Sequence, residues 1–553
     1  MQKYIFQPWF APALGAVVFF ATARGALAQG WQCYAQNPGH TAIAGVQSQT
    51  PLVIQWSEPV DLHPTYSGGN LYAHYGSPAI TRANTILVPV KTGTSNGFEV
   101  IAYSFNAGTL SQVWTFVTDY TVPSCGWLPV CGITLTPNDG SVAVPGAGGT
   151  VYVRASPNAA NGTVTQMAFY GISTYNSNRQ TYNGEIHICT PITSDGAGNL
   201  YFGYVSTAAG IPSGLARISS TGAGTYTSAA AMTGDSSSQS MLYNCAPAIS
   251  NDGSTVYVGV SNISPSSPNN YGSGYLCALN STTLARTASV ALQDPRGGYG
   301  AALVTNYSSA SPTVGPDGDV YFGVLEAQLY SNNDRGWMLH YSANLSTTKL
   351  PSAFGWDATA SVVPASAVVS YSGPSSYLLL TKYNNYAGIG TGNGVNKVAV
   401  VDPNTGMTDP VTGASVMNTV ITVTGVTPDP NHDQTYPNAV REWCINSAAI
   451  DPIGKCAMVN SEDGKLYRWD FTNNALSAGL PLAAPTGEAY TPTLIGPDGA
   501  VYAINDSVVF ALGLNSADVP AMPRGAGIIL PVLLFCGAAA YLGFRARRAA
   551  VRA

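Results

Sequence analysis

Charge is scarce in this sequence. Of 553 residues only 9% are Asp, Glu, Lys or Arg, where a soluble domain carries roughly a quarter. A long helical protein, built on runs of Glu, Lys, Leu and Ala, is excluded by that shortage. Cysteine motifs are lacking as well. The chain has nine cysteines but no CxxC, no CxxCH haem-attachment site and no zinc spacing. Basic residues are thin along the whole middle of the chain. Seven of the 22 lie near the ends (Lys3 and Arg24; Arg524, Arg545, Arg547, Arg548 and Arg552). Fifteen remain against 28 acids, so the formal net charge of −6 conceals a central balance of −13. That balance excludes a nucleic-acid-binding surface.

What is abundant is Gly (59), Pro (37) and Tyr (32), with 45% hydrophobic residues. Such a chain has ample material for a large core, so general disorder is excluded. The Gly, Pro, Tyr, Thr, Val and Ser bias points to many short strands joined by tight turns.

The two ends carry addresses. Behind Lys3 a short apolar run from Ala13 to Ala23 precedes Ala26-Leu27-Ala28, a small-x-small cleavage site. Residues 1–28 therefore read as a secretory signal peptide, with an N-terminal anchor interrupted by Arg24 as the alternative. At the other end, residues 525–544 form an uncharged stretch long enough to cross a bilayer as one helix. The arginines of 545–553 follow it, which places that tail in the cytoplasm and the bulk of the chain outside. With a propeller domain expected over 29–515 and a linker over 516–524, the protein is predicted to be exported and held at the cell envelope, on its periplasmic or surface side. Val519-Pro520-Ala521-Met522-Pro523, the span and the arginine cluster together resemble the sorting tails of PEP-CTERM-type bacterial envelope proteins. That resemblance implies processing by a membrane protease. A plain membrane anchor is the alternative. Outside the span eight cysteines remain, an even number that suits an oxidising compartment. The spacing suggests Cys125 with Cys131, and Cys444 with Cys456 across one hairpin.

Internal repetition is the strongest signal. A small residue, Pro, an apolar pair, an Asp-Gly turn and a Val/Tyr/Gly strand recur. Examples are Thr190-Pro191-Ile192 through Asp195-Gly196 to Tyr201-Phe202-Gly203, and Ser311-Pro312-Thr313-Val314 through Asp317-Gly318 to Tyr321-Phe322-Gly323. Asp-Gly supplies the positive φ that a tight hairpin needs, and four strands per unit match a β-propeller blade. Unit starts near 78, 134, 191, 247, 312, 362, 448 and 492 predict an all-β, eight-bladed propeller. The irregular stretch from 362 to 448 leaves a seven-bladed count open. The last unit lacks its fourth strand, and Pro51-Leu52-Val53-Ile54-Gln55-Trp56 is positioned to supply it, removing the open sheet edges.

Trp31-Gln32-Cys33-Tyr34, Asn37-Pro38-Gly39-His40-Thr41, the strand ending in Trp56 and the unit Val400-Val401-Asp402-Pro403-Asn404-Thr405-Gly406 resemble the PQQ-like β-propeller family over nearly all of 31–513. The resemblance implies a fold more than a function. Some members are quinone-dependent dehydrogenases and many are scaffolds without cofactor. The enzymatic members are expected to carry adjacent cysteines beneath the quinone, a calcium-binding carboxylate and a catalytic Asp. This chain has no adjacent cysteine pair, so no quinone-site residue is carried over and no PQQ or other cofactor is expected.

Other motifs are weak. Gly93-Thr94-Ser95-Asn96-Gly97 spells GxSxG, but it lies between two predicted strands, where a nucleophile elbow does not form. The glycine-rich run 388–394 has no helix after it to present a phosphate site. Asp429, Asn431 and Asp433 have the alternating oxygen spacing of a calcium loop, so calcium stays open. Gln434 nevertheless replaces the turn glycine, and no Glu closes the loop. Superposing the units places His74, His187, Tyr243 and Glu488 each four residues before a blade proline, where they would converge on one mouth of the channel. Such a set could bind a metal or perform acid–base work. The alternative is a set of unrelated polar groups on a loop-rich face. Cys189 and Cys245, two residues before consecutive blade prolines, suggest a staple between neighbouring inner strands. Arg441-Glu442-Trp443 could grip a ligand or form a structural ion pair. Two functions follow: a non-catalytic, envelope-exposed binding module for a protein or glycan partner, or a secreted oxidoreductase, lyase or hydrolase working at the channel mouth.

Overall fold

The computed structural model describes residues 29–514, apart from Gly68, Tyr72, 126–130, Ser309, Asp433 and 485–489. The leader, the linker, the predicted span and the basic tail lie outside the described residues. Among the described residues no helix is long and apolar enough to cross a membrane.

Each repeated unit folds as an antiparallel sheet; among the described residues eight such sheets form the blades, and two further two-stranded ribbons, Tyr66–Ser67 with Asn70–Leu71 and Tyr271–Gly272 with Val304–Thr305, lie beside them. Blade 1 runs from Ala79–Ile80 to Thr109–Thr118, blade 2 from Thr134–Leu135 to Val164–Ala168, blade 3 from Thr193–Ser194 to Gly224–Ser228 and blade 4 from Ala248–Ile249 to Arg286–Ala291. Blade 5 opens at Thr313–Val314, blade 6 at Ser361–Pro364, blade 7 at Ala449–Asp451 and blade 8 at Leu494–Ile495. The irregular stretch forms a full four-stranded blade, so the count is eight and not seven. A long bulged hairpin, Lys397–Thr408 with Ser415–Thr424, completes blade 6.

Turn chemistry sets the units locally. Gly253, Gly318 and Gly499 of the Asp-Gly turns have φ of +73°, +89° and +82°, values that side chains resist. Blade 3 departs from the expectation: in Asp195-Gly196-Ala197-Gly198 it is Gly198, at φ +80°, that takes the left-handed position. The glycine ending the Val/Tyr strand has a different cause. A Cβ at Gly323 would stand 2.1 Å from the Gly355 carbonyl oxygen, so the close approach of the next loop requires its absence.

The ring closes as the sequence suggests. Val53–Pro59 pairs antiparallel with Val508–Gly513, with a bulge between Ile54 and Trp56, and becomes the outer strand of blade 8. Trp56 is buried against Tyr103 of blade 1 and Tyr502 of blade 8, with ring centroids 5.8 Å from each.

The segment ahead of that strand forms a belt across one end of the channel, touching the innermost strand of every blade or the residue beside it. Trp31 exchanges two 2.8 Å hydrogen bonds with Ile80, and the Gln32 carbonyl accepts from Leu135 N–H at 2.9 Å. Gln32 Nε2 donates to the Ser194 carbonyl at 3.1 Å. The Pro38, Gly39, Thr41 and Ala42 carbonyls accept from Ile249, Val314, Val362 and Ile450, and Gln49 N–H donates to the Gly499 carbonyl. Bonding to eight blades in turn forces sharp changes of direction, and Ala35, Gln36, His40 and Ala42 take φ between +47° and +81°, each costing about 1 kcal/mol or more.

His40 of the belt is fully buried, its Nδ1 2.7 Å from the Pro312 carbonyl and its ring edge-on to Tyr34. Burial pushes its pKa down to about 4, against the Pro312 hydrogen bond. Between about pH 6.5 and 4 the unfolded chain therefore binds a proton that the folded chain refuses. Stability is complete above that window and falls as pH drops through it, by about 3 kcal/mol for this residue. His40→Asn should flatten the dependence of the urea midpoint on pH between 6.5 and 4 by about one proton. Parallel wild-type and variant curves would contradict this.

No disulfide joins any of the eight described cysteines, so the pairs Cys125–Cys131, Cys189–Cys245 and Cys444–Cys456 expected from spacing are unbonded. Physically, Cys444 and Cys456 face different groups: the Cys444 Sγ lies 3.2 Å from Glu462 Oε2, whereas Cys456 faces Ser48 and Asp451 at 3.8 Å. Cys131, Cys189 and Cys245 are buried, and burial raises all three thiols. Backbone hydrogen bonds, and not sulfur bridges, tie the blades together at the belt.

Candidate functional site

The belt binds near the Asp-Gly turns, where the inner strands end. The loops just before those strands therefore surround the opposite end of the channel, and this open mouth holds a cavity of about 330 Å³. It is lined by Lys382, by the aromatic side chains of Trp356, Tyr386 and Tyr490, and by the carboxylates of Asp334, Asp357, Asp429 and Glu442.

The mouth is held rigidly by buried polar groups of blades 5 and 6. The carboxylate of Glu326, fully buried, accepts backbone N–H bonds from Asn332 (3.2 Å), Asp334 (2.8 Å) and Gly336 (2.9 Å). Arg335, in the middle of that turn, donates to both oxygens of Asp409 at 3.2 and 2.7 Å. Burial alone would raise Asp409, but the hydrogen bonds and charge of Arg335, helped by Thr412, hold it below the ordinary carboxylate value. The Arg335 carbonyl in turn accepts from Gly355 and Trp356 N–H at 3.0 and 3.1 Å, which fixes this part of the lining. Asp334 and Asp357 sit at φ +54° and +51°, a strained setting for non-glycine residues.

Lys382, in the strand Tyr377–Tyr383, is only 2% exposed. Its Nζ lies 5.5 Å from the Tyr490 ring and 6.0 Å from Phe354. Among the described residues no hydrogen bond or ion pair takes up this ammonium. His74 is close by, 3% exposed with its ring 5.2 Å from Tyr490. Burial pushes its pKa down to about 4, with Asp357 opposing and Lys382 reinforcing the shift.

The other residues singled out by the repeat have separate surroundings. His187, on the strand Ile186–Ile188, has its Nδ1 3.1 Å from Thr121 Oγ1. Tyr243 is fully buried, and its N–H donates to the Asn306 carbonyl at 2.6 Å. Glu488 lies outside the described residues, as does Asp433. Asp429 Oδ1 accepts from Asn431 N–H at 3.0 Å, and its Oδ2 lies 2.7 Å from His432 Nδ1. Trp443 points into the core, edge-on to Tyr467 at 5.5 Å, while Glu442 reaches the cavity.

Glu442, Cys444 and Glu462 bring their donor atoms within 4.8 Å of one another, and are the three-ligand set found among the described residues that could hold a metal ion. Glu462 Oε1 accepts from Glu442 N–H at 3.0 Å, and burial raises the Glu462 carboxyl. A larger cavity of about 560 Å³ lies beside Asp61 and Lys91. Its charges are already used. Lys91 Nζ donates to both Asp61 oxygens at 2.9 and 3.2 Å, and Tyr75 donates to Asp61 at 2.9 Å. Of these two cavities, the mouth is the one where a described charged group, Lys382, is left over.

Lys382, Trp356, Asp357 and Tyr490 were not singled out by sequence reasoning. A signal existed for Lys382: it is the one charge in Tyr377-Leu378-Leu379-Leu380-Thr381-Lys382-Tyr383, within a chain that spends few charges anywhere.

No protein family matches this chain, and no curated protein does. Solved structures do. A europium-containing methanol dehydrogenase superposes with a TM-score of 0.54 at 10% identity, over 86% of this chain and 89% of its own. The fold is an eight-bladed β-propeller, as the likeness to that dehydrogenase bears out. BamB from Moraxella catarrhalis (TM-score 0.40, 12% identity, 85% of this chain and 98% of its own) and Sqt1 from Saccharomyces cerevisiae (0.47, 11%, 85% and 100%) also match. At these identities the likeness concerns the β-propeller fold alone, and a fold of this kind hosts many functions.

Proposed function

We propose that the protein is a non-catalytic recognition module at the cell envelope, exported by its leader, held by its C-terminal segment and binding a protein or glycan partner at the open mouth. The observation that carries this reading is the mouth cavity itself. Aromatic side chains, four carboxylates and one buried ammonium converge there on rigidly held loops, which is the make-up of a recognition site. A quinone is not part of the proposal. A planar tricarboxylate calls for several cations and, in this family, for adjacent cysteines. The mouth offers Lys382 among four acids, and the sequence has no cysteine pair. Calcium at Asp429 and Asn431 is also left out, since Asp429 is already engaged by Asn431 and His432.

The test is mapping of the bound surface. Once glycan and peptide arrays have given a ligand of the purified protein, Trp356→Ala and Tyr490→Ala should each weaken it at least tenfold, while Tyr226→Ala on blade 3 leaves it unchanged. A ligand indifferent to both mouth substitutions would sink the reading. A second reading, a secreted metalloenzyme, draws on Glu442, Cys444 and Glu462. Stoichiometric metal in the purified protein, lost in Cys444→Ser together with a measurable turnover, would favour it.

A further inference from the structure

A buried ammonium is costly unless something accepts its hydrogen bonds. The aromatic faces of Tyr490 and Phe354, 5.5 and 6.0 Å away, recover a modest part of that cost and accept no conventional hydrogen bond. The three N–H donors of Lys382 thus stand in the lining of a cavity without an acceptor among the described residues.

We propose that the mouth cavity takes a saccharide carrying a single carboxylate, a uronic-acid sugar, with that carboxylate seated on Lys382; this rests on the reading of the mouth as a recognition site. The assignment follows from the combination of groups. A carboxylate is a compact anion that gives a buried ammonium a charge-assisted hydrogen bond. The faces of Trp356, Tyr386 and Tyr490 suit the C–H face of a pyranose ring, as aromatic side chains suit any flat apolar surface with a polar edge. The carboxylates of Asp334, Asp357 and Glu442 accept hydrogen bonds from hydroxyl groups. They also repel a second anion, so a polyanionic chain is disfavoured and one acid group per site is expected. At about 330 Å³ the cavity stands at the small end of ligand pockets. It is a concave slot and not the flat, apolar-centred patch of roughly 800 Å² that a folded protein partner covers.

The test is calorimetry on the purified protein with a glucuronyl-galactose disaccharide, its methyl ester and the neutral galactosyl-galactose. The free acid should bind at least tenfold more tightly than the ester or the neutral sugar. Lys382→Met, which keeps the apolar stem, should bring the acid down to the level of the ester and leave the ester unchanged, while Lys382→Arg should keep most of the preference. Equal binding of acid and ester by the wild-type protein would overturn the proposal, and that comparison needs no variant if Lys382→Met does not fold. An acid preference that survives Lys382→Met would overturn it as well. Binding of a peptide through its C-terminal carboxylate, dependent on Lys382 and without sugar binding, would overturn the sugar assignment and leave the recognition reading standing. A ligand found by the arrays that ignores Trp356 and Tyr490 would remove both.

Discussion

A protein lacking residues 29–59 is expected to show no cooperative unfolding transition and to bind hydrophobic dyes as isolated. The truncation removes the belt and the closing strand together. Trp31, Tyr34 and Trp56 are buried at 1%, 5% and 7% exposure, and each aromatic of this kind costs about 3–5 kcal/mol when cut back to alanine. Their sum is comparable with the entire net stability of a domain, about 5–15 kcal/mol. The loss also opens an edge on blade 8 along Val508–Gly513, a template for association with other chains. Trp56→Ala alone, measured by urea denaturation, should cost about 3–5 kcal/mol. A sharp thermal transition in the truncated protein would show that the eight blades hold one another without the belt.

Arg335→Ala is expected to be nearly as damaging as Trp56→Ala, about 3–5 kcal/mol, because it leaves the Asp409 carboxylate buried without its cation. The side chains are 3% and 0% exposed, so water does not replace the guanidinium. Replacing both partners, Arg335→Met with Asp409→Leu, should recover most of that loss. The pH dependence has a definite sign. Asp409 is held below its ordinary value, so the pair stabilises at neutral pH and its contribution is lost as pH falls through the carboxylate range. The variant should therefore be the less acid-sensitive of the two proteins across that range. Since the Arg335 carbonyl holds Gly355 and Trp356, the same substitution should also shift the tryptophan emission and weaken any mouth ligand. A loss of stability below about 1 kcal/mol would mean that water or a rearranged neighbour takes over from Arg335.

The ring was legible because its information is local. Each Pro–apolar pair marks an inner strand and each Asp-Gly or Asn marks the turn after it. Blade 1, with no Asp-Gly, uses Asn84 at φ +63° in the same place. The closing strand around Trp56 was legible from the missing strand of blade 8. The belt was not, since most of its contacts with the blades are backbone hydrogen bonds, which leave no side-chain pattern. The mouth was half legible. The repeat offset led to His74, which does stand beside Asp357 and Lys382. The loops of blades 5 to 7 break the repeat, so Trp356 and Lys382 fell outside any superposition. Cysteine parity misled for another reason. An even count describes the compartment expected for the chain, whereas pairing depends on which groups each sulfur faces.

The belt also makes the protein a check on its own completeness. Its residues are the first part of the described chain to be synthesised, yet the Gln49 N–H has no acceptor until Gly499 exists, and Val53 waits for Gly513. Contacts so distant in sequence slow folding, because the loop entropy is lost before they form. A chain stopped anywhere before blade 8 would leave Trp56 without Tyr502 and its strand without a partner, open to proteases and chaperones. Only a chain that reaches Gly513 can close the ring over its own belt.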